Sequence, residues 1–453
     1  MGMFREVRPT VKNQLTSDLS GEPAGPSGVE TIPGAGRLSG RPAALHWFAL
    51  LTAGATLCLL GLGGLVTSHG VGMAVPDWPN TYGYNMFFFP VSKWIGGIFY
   101  EHTHRLLASA VGLLTCILAL WLHGKSARRF LRWTGATLLG LALVTAMASR
   151  AHWADAAVLL TLGAAGFAAS WFWPACEANS RWLRRIGLAA FITVVLQGVL
   201  GGLRVVLFQD QLGIFHATLA QLFFVLLCAI ALFTSNWWNQ TLVPPQQSTS
   251  RAPVSVGGFF VATTLLVLCQ LIVGASMRHQ HAGLSIPDFP LAYGKLWPAM
   301  DSVSIAHYNQ QRLEIVAYKP ITAFQIQLQL AHRLLALLVL FAVGLCAWRA
   351  QREFGKKHFL TRMAKFWLGL ILVQVFLGAA TIWSNKAADV ATAHVVTGAL
   401  ALSLGTLASI ILYRFSRLTE AASRAGCLAP CRAAGQIPLG QFAGEAPALH
   451  PAE

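Results

Sequence analysis

Residues 75–83 read Val75-Pro76-Asp77-Trp78-Pro79-Asn80-Thr81-Tyr82-Gly83, and residues 286–294 read Ile286-Pro287-Asp288-Phe289-Pro290-Leu291-Ala292-Tyr293-Gly294. Five of the nine positions are identical and two more are similar, at an offset of 211. The likeness continues in order along the chain. His104-Arg105-Leu106-Leu107-Ala108 matches His332-Arg333-Leu334-Leu335-Ala336 at offset 228. Leu196-Gln197-Gly198-Val199-Leu200-Gly201 matches Val373-Gln374-Val375-Phe376-Leu377-Gly378 at offset 177, and His216 matches His394 at 178. Ordered matches of this kind point to an internal duplication. The shift in offset from 211 to 228 makes the second loop 17 residues longer; the shift from 228 to 177 gives the first half 51 extra residues. That excess is about one helical hairpin, and 131–174 is its place.

Composition sets the medium in which this duplicated chain folds. Of 453 residues, 11% are charged and 55% hydrophobic, and mean hydropathy is +0.56. A soluble domain carries about 25% charged residues, so this chain lacks the charge to coat a water-facing surface. Disordered and collagen-like chains are excluded as well. A membrane-spanning helix needs about 20 largely apolar residues. Ten such runs occur, near 45–68, 102–123, 131–149, 153–174, 185–208, 212–234, 255–277, 325–348, 363–383 and 390–412. The fold expected is therefore an all-α polytopic membrane protein with about ten transmembrane helices. It would be built as two parallel-repeat four-helix bundles, with a helical hairpin inserted in the first half.

Lysine and arginine set the orientation. With the N-terminal tail cytoplasmic, the inner segments 1–45, 124–133, 175–185, 235–254, 349–365 and 413–453 hold 23 of the 33 basic residues. Acidic residues divide nine inside to eight outside, as expected when only cations set topology. The net charge of +16 thus reports topology rather than a nucleic-acid surface. Both termini are then cytoplasmic, and two long outer loops remain, 69–100 and 278–324. No cleavable signal peptide is visible, and residues 1–44 read as a disordered tail. The organisation expected is an N-terminal repeat at 45–234, a linker at 235–254, a C-terminal repeat at 255–413 and a tail at 414–453. The eight cysteines form no framework: most lie in apolar runs, Cys176 in a loop, and Cys427 and Cys431 in the tail.

Both halves hold two histidines, His104 and His216 in the first and His332 and His394 in the second. The topology puts all four near the outer ends of their helices. A lone helix-end histidine is ordinarily an interfacial polar group. Four at one depth, paired by a repeat, read differently, because ionisable groups at membrane depth are costly and functional. Two opposed imidazoles in a helical bundle can hold a heme iron by both axial positions. Arg105, Arg204, Arg278 and Arg333 stand near the outer helix ends as candidate forks for heme propionates. Asp77, Asp288, Tyr82 and Tyr293 are expected to order the outer loops into lids. One asymmetry suggests chemistry. Glu101 lies three residues before His104, whereas Gln329 holds that position before His332. A carboxylate beside a low-dielectric pocket can relay protons, and an amide cannot.

From about residue 45 to 413 the chain resembles the heme A synthases. The resemblance rests on Glu101-His102-Thr103-His104-Arg105, Gln197-Gly198 with Gly201-Gly202-Leu203-Arg204, His216-Ala217-Thr218-Leu219-Ala220, the loop at 287–290, His332-Arg333, and His394 with Gly398. It implies conversion of heme O to heme A by oxidation of a porphyrin methyl to formyl, in two hydroxylations with water as the oxygen source. It further implies heme b as cofactor on His332 and His394, substrate heme O on His104 and His216, and Glu101 as the catalytic carboxylate. Heme O synthase and terminal oxidase assembly factors are the implied partners, within the bilayer of a bacterial-type inner membrane. Two features depart from the family: residues 69–100 hold no cysteine pair, and the 131–174 hairpin exceeds the usual eight helices. A diheme electron carrier of cytochrome b type would use the same histidines without Glu101. A parallel-repeat transporter would hold no heme.

Overall fold

The computed structural model describes residues 43–148, 153–174, 180–240, 253–311 and 320–433. Most of the tail expected at 1–44, the polar break at 149–152, Cys176, most of the 235–254 linker and the chain beyond 433 lie outside the described residues. So do the side chains of Cys427 and Cys431.

Twelve helices are present among the described residues. They are α1 (Ala43–Ser68), α2 (Gly96–His123), α3 (Lys125–Ala148), α4 (Trp153–Phe172), α5 (Arg181–Val206) and α6 (Asp210–Thr234). The short α7 (Asn236–Gln240) leads to α8 (Pro253–His279), α9 (Ser302–Gln310), α10 (Ala323–Phe354), α11 (Phe359–Trp383) and α12 (Ala388–Ala433). All but α7 and α9 are long and apolar enough to cross a membrane, which gives ten candidate spans. Helices suit that medium because each backbone polar group is satisfied within its own segment. The apolar runs place the spans well and their ends less well. Helix α2 begins at Gly96 and α3 at Lys125, each six residues before its apolar run. Polar residues such as Glu101 and Arg128 are tolerated in those turns because their side chains find partners in the fold. Helix α12 continues to Ala433, through part of the stretch expected as tail. Helix α9, inside the long second loop, was not foreseen; Asp301 caps it by accepting from Val303 N and Ser304 N.

Helices α1, α2, α5 and α6 pack in a ring, each against the next, and α8, α10, α11 and α12 form a second ring. The rings meet through α1 on α12, α6 on α8 and α6 on α12. The first core gathers Leu118, Leu122, Leu183, Phe223 and Leu227; the second gathers Phe260, Val343, Trp367 and Leu412. Small residues let the backbones approach, as membrane helix interfaces require. A Cβ on Gly405 would stand 2.5 Å from Trp367, and one on Gly64 would stand 2.9 Å from Thr392 across the seam between rings. Helices α3 and α4 pack chiefly on each other, crossing where Gly135 and Gly163 meet backbone to backbone. Arg128 closes the open end of this hairpin by donating to Trp173 O at 2.6 and 2.8 Å.

Candidate functional site

Each of the four histidines sits six to nine residues into its helix, in α2, α6, α10 and α12. His104 and His216 therefore lie in the second to third turn of their helices. Each rests on a glycine of the preceding long helix. A Cβ on Gly63 would stand 3.1 Å from His104 Cε1, on Gly201 3.2 Å from His216, on Gly274 3.0 Å from His332, and on Gly378 3.2 Å from His394. Those glycines all lie five residues before the last residue of α1, α5, α8 and α11. The result is one level of imidazoles at the loop end of both rings.

The rings of His332 and His394 are 6.4 Å apart between centres and inclined by 65°. An iron held by two imidazole nitrogens at about 2 Å each requires ring centres roughly 6 Å apart. His104 and His216 lie within electrostatic reach of one another and of Arg204. All four imidazoles are partly accessible, yet the Nδ1 of each is enclosed with no protein partner. Four buried ring nitrogens without partners are the donor set that a ligand-free bundle for two axially held hemes would show. Among the described residues no cluster of three or more His, Cys, Asp or Glu suits a bare metal ion.

The two outer loops fold over this level with matching hydrogen bonds. Asp77 accepts from Tyr82 N and Gly83 N at 2.8 Å; Asp288 accepts from Tyr293 N and Gly294 N at 2.7 and 2.8 Å. In each loop Tyr and Gly both have positive φ, the requirement of a type I′ turn, which explains the glycine at 83 and 294. Tyr82 Oη donates to Ala74 O and Tyr293 Oη to Ser285 O. Arg105 donates to the carbonyls of Val75, Asp77 and Asn80 at 2.7, 2.7 and 3.0 Å. Arg333 donates to those of Ile286, Asp288 and Leu291 at 3.4, 2.7 and 2.8 Å. These two guanidiniums thus pin the lids.

Glu101 is 3% exposed, accepts from Val75 N at 2.9 Å and pairs with Arg105 at 2.7 Å. Gln329, 2% exposed, accepts from Ile286 N at 2.6 Å. Arg204 lies under Gly72 and 3.5 Å from Asp210. Arg278 crosses between the rings and donates to Gly64 O and Ser68 Oγ at 2.5 Å. The Nε atoms of Arg204 and Arg278 are buried without partners.

Several residues here make contacts that the sequence does not reveal. Gln197 donates to His216 O at 3.0 Å, Gln270 to His332 O at 3.0 Å, and Gln374 Nε2 lies 3.4 Å from His394 Nε2. Gln270-xxx-Gly274 repeats the Gln197-xxx-Gly201 and Gln374-xxx-Gly378 spacing, a signal that was available. His279 packs on Gly213, one turn from His216, and His102 is fully buried against Thr81 at 3.2 Å, Phe89 and Trp94. Neither has a counterpart in the other half to mark it.

Ten membrane-length helices in two rings, with paired histidines beneath pinned lids, define a multi-pass helical membrane protein with two candidate prosthetic-group sites. Within that class the chain belongs to the COX15-CtaA family, described as cytochrome oxidase assembly protein, whose profile matches residues 147–406. It is similar to the heme A synthase of Alkalihalophilus pseudofirmus, at 22% identity over 82% of this chain and 98% of the relative. It is also similar to the heme A synthase of Geobacillus kaustophilus, at 22% identity over 77% of this chain and 86% of the relative.

Proposed function

We propose that this chain is a heme A synthase, oxidising a methyl group of heme O to the formyl group of heme A. Family membership and the named relatives support the activity. The observation that carries the site is the set of four enclosed, partnerless Nδ1 atoms at one level, with one ring pair spaced 6.4 Å for a shared iron.

In this reading His104 and His216 hold the substrate, and His332 and His394 hold a resident heme b. That heme b, when bound, supplies one-electron redox capacity. The remaining work belongs to the chain. Converting a methyl to a formyl group with water as oxygen donor releases four protons and four electrons, and an external electron acceptor must take the latter. Glu101 lies three residues before His104 on the same helix, and its carboxylate receives protons in this reading. Arg105 and the lid above it exclude water from the low-dielectric pocket and fix the orientation of Glu101. Arg204 and Arg278, with free buried Nε–H groups, hold the propionates. Arg105 and Arg333 donate to lid carbonyls as well, and Arg333 likewise keeps a buried Nε without a partner. The basic segments orient both termini to the cytoplasm of a bacterial-type inner membrane and set the heme level near the outer face. Heme O synthase is the partner this substrate requires.

One observation favours a diheme electron carrier instead: Glu101 and Gln329 do the same lid-anchoring work, so the carboxylate has a role without chemistry. Expression in a host that makes heme O but no heme A, followed by chromatography of the extracted hemes, separates the two. Heme A in the extract is the expected result; heme b alone would identify the carrier.

A further inference from the structure

Gln197, Gln270 and Gln374 stand four residues before Gly201, Gly274 and Gly378, so each amide lies one helical turn further from the lids than the glycine that seats its histidine. The corresponding position before Gly63 is Leu59. The pattern is therefore broken at one place only, and that place belongs to His104. Beneath the second histidine pair two amides face inward: Gln270 reaches His332 O and lies 3.3 Å from its Nε2, and Gln374 reaches His394. The Oε1 atoms of Gln270 and Gln374 are buried with no partner. Beneath the first pair there is one amide, Gln197, and the half-buried, apolar Leu59.

Porphyrin chemistry gives this difference a meaning. The propionates leave one edge of the macrocycle, and the groups that distinguish heme b from heme O leave the opposite edge. Heme b has a short vinyl group where heme O has a long hydroxyalkyl isoprenoid chain. With propionates toward the lid-end Arg204 and Arg278, the opposite edge faces the level of residues 59, 197, 270 and 374. We infer that Leu59 and Gln270 sort the two hemes: Leu59 admits the isoprenoid chain to the first site, and Gln270 bars it from the second. An apolar chain at that edge would seal from water a Gln270 Oε1 that already has no protein donor, whereas Leu59 loses nothing by the same contact. This inference rests on the proposed function and deepens it.

The test uses the full chain expressed with a supply of heme O, measuring the ratio of isoprenoid hemes (O plus A) to heme b extracted from purified protein. His332→Ala isolates the first site, and His104→Ala isolates the second. In the first background Leu59→Gln should lower the isoprenoid share roughly tenfold, and Leu59→Met should leave it unchanged. In the second background Gln270→Leu should raise that share by a similar factor. The same substitutions in the wild-type chain should move the ratio in the same directions, which keeps the test valid if a single-site variant fails to fold. Isoprenoid heme in the wild type with unshifted ratios in the variants would overturn the sorting role alone. Absence of isoprenoid heme from the wild type would overturn the functional reading and the sorting role with it.

Discussion

Glu101 and Gln329 take the same lid hydrogen bond in opposite halves of the chain, accepting from Val75 N at 2.9 Å and from Ile286 N at 2.6 Å. An amide therefore suffices to anchor a lid of this shape. Glu101→Gln should keep the first lid closed and both hemes bound, since Arg105 retains its three carbonyl acceptors. It removes the ionisable group. Heme A formation should fall at least about 100-fold, the scale of a lost general acid or base, while the absorbance spectrum stays that of the parent. Glu101→Ala should lose both lid and activity. Undiminished heme A production by the Gln variant would confine Glu101 to anchoring.

The glycines under the histidines make a second, spectroscopic prediction. A Cβ on Gly274 would come within 3.0 Å of His332 Cε1, so the imidazole must shift. Gly274→Ala should cost about 1–3 kcal/mol of stability and alter the low-spin heme signal in electron paramagnetic resonance. Gly54→Ala is the matched control in a helix, because a Cβ there meets nothing within 4 Å. That variant should fold normally and keep the parent signal.

Much of this arrangement was legible in the chain itself. Apolar length alone marks ten spans, because hydrocarbon excludes any other backbone solution. The four histidines stand out because duplication repeats them. Glycines 63 and 274 were harder to see, since a glycine's role is defined by what approaches it, here an imidazole 41 and 58 residues away. The contacts of the arginines were not legible in the same way. Sequence reveals the charge of Arg105 and Arg333 at helix ends, but not that loop carbonyls about 30 and 45 residues earlier fold back to engage it. His102 and His279 lie at unrepeated positions, so duplication gave no hint of them.

The first lid should respond to acid. Burial pushes the Asp77 carboxyl upward, but the N–H donors of Gly83 and Tyr82, together with Arg105, outweigh it and hold the group below its ordinary 3.8. A carboxylate held low in the folded state stabilises above the ordinary value, and that contribution is lost as pH falls through the lower folded value. Hydrogen exchange of residues 75–84 should therefore stay slow down to pH 3.8 and quicken below it. Asp77→Asn accepts less well from two N–H groups at once, so its loop should exchange quickly at neutral pH too. Equal protection of parent and variant at all pH values would remove Asp77 from the lid.

The inserted hairpin offers the last prediction. Among the described residues, helices α3 and α4 bury their small-residue faces on each other, and their main contact with the first ring is where α3 follows α2. Meanwhile α2 packs directly on α5, so the two helices the hairpin separates are already neighbours. Their adjoining ends, His123 on α2 and Arg181 on α5, line one cavity with Arg184 and Arg185. A short Gly/Ser bridge can therefore replace residues 125–174 without stretching the ring. The hairpin crosses the membrane twice, so its removal leaves the direction of every later helix unchanged. The shortened protein should insert, bind heme in both sites and retain its histidine spectrum, because none of His104, His216, His332 or His394 rests on α3 or α4. Purification without heme would mean that the hairpin supports the ring through contacts in the bilayer that its close self-packing does not suggest.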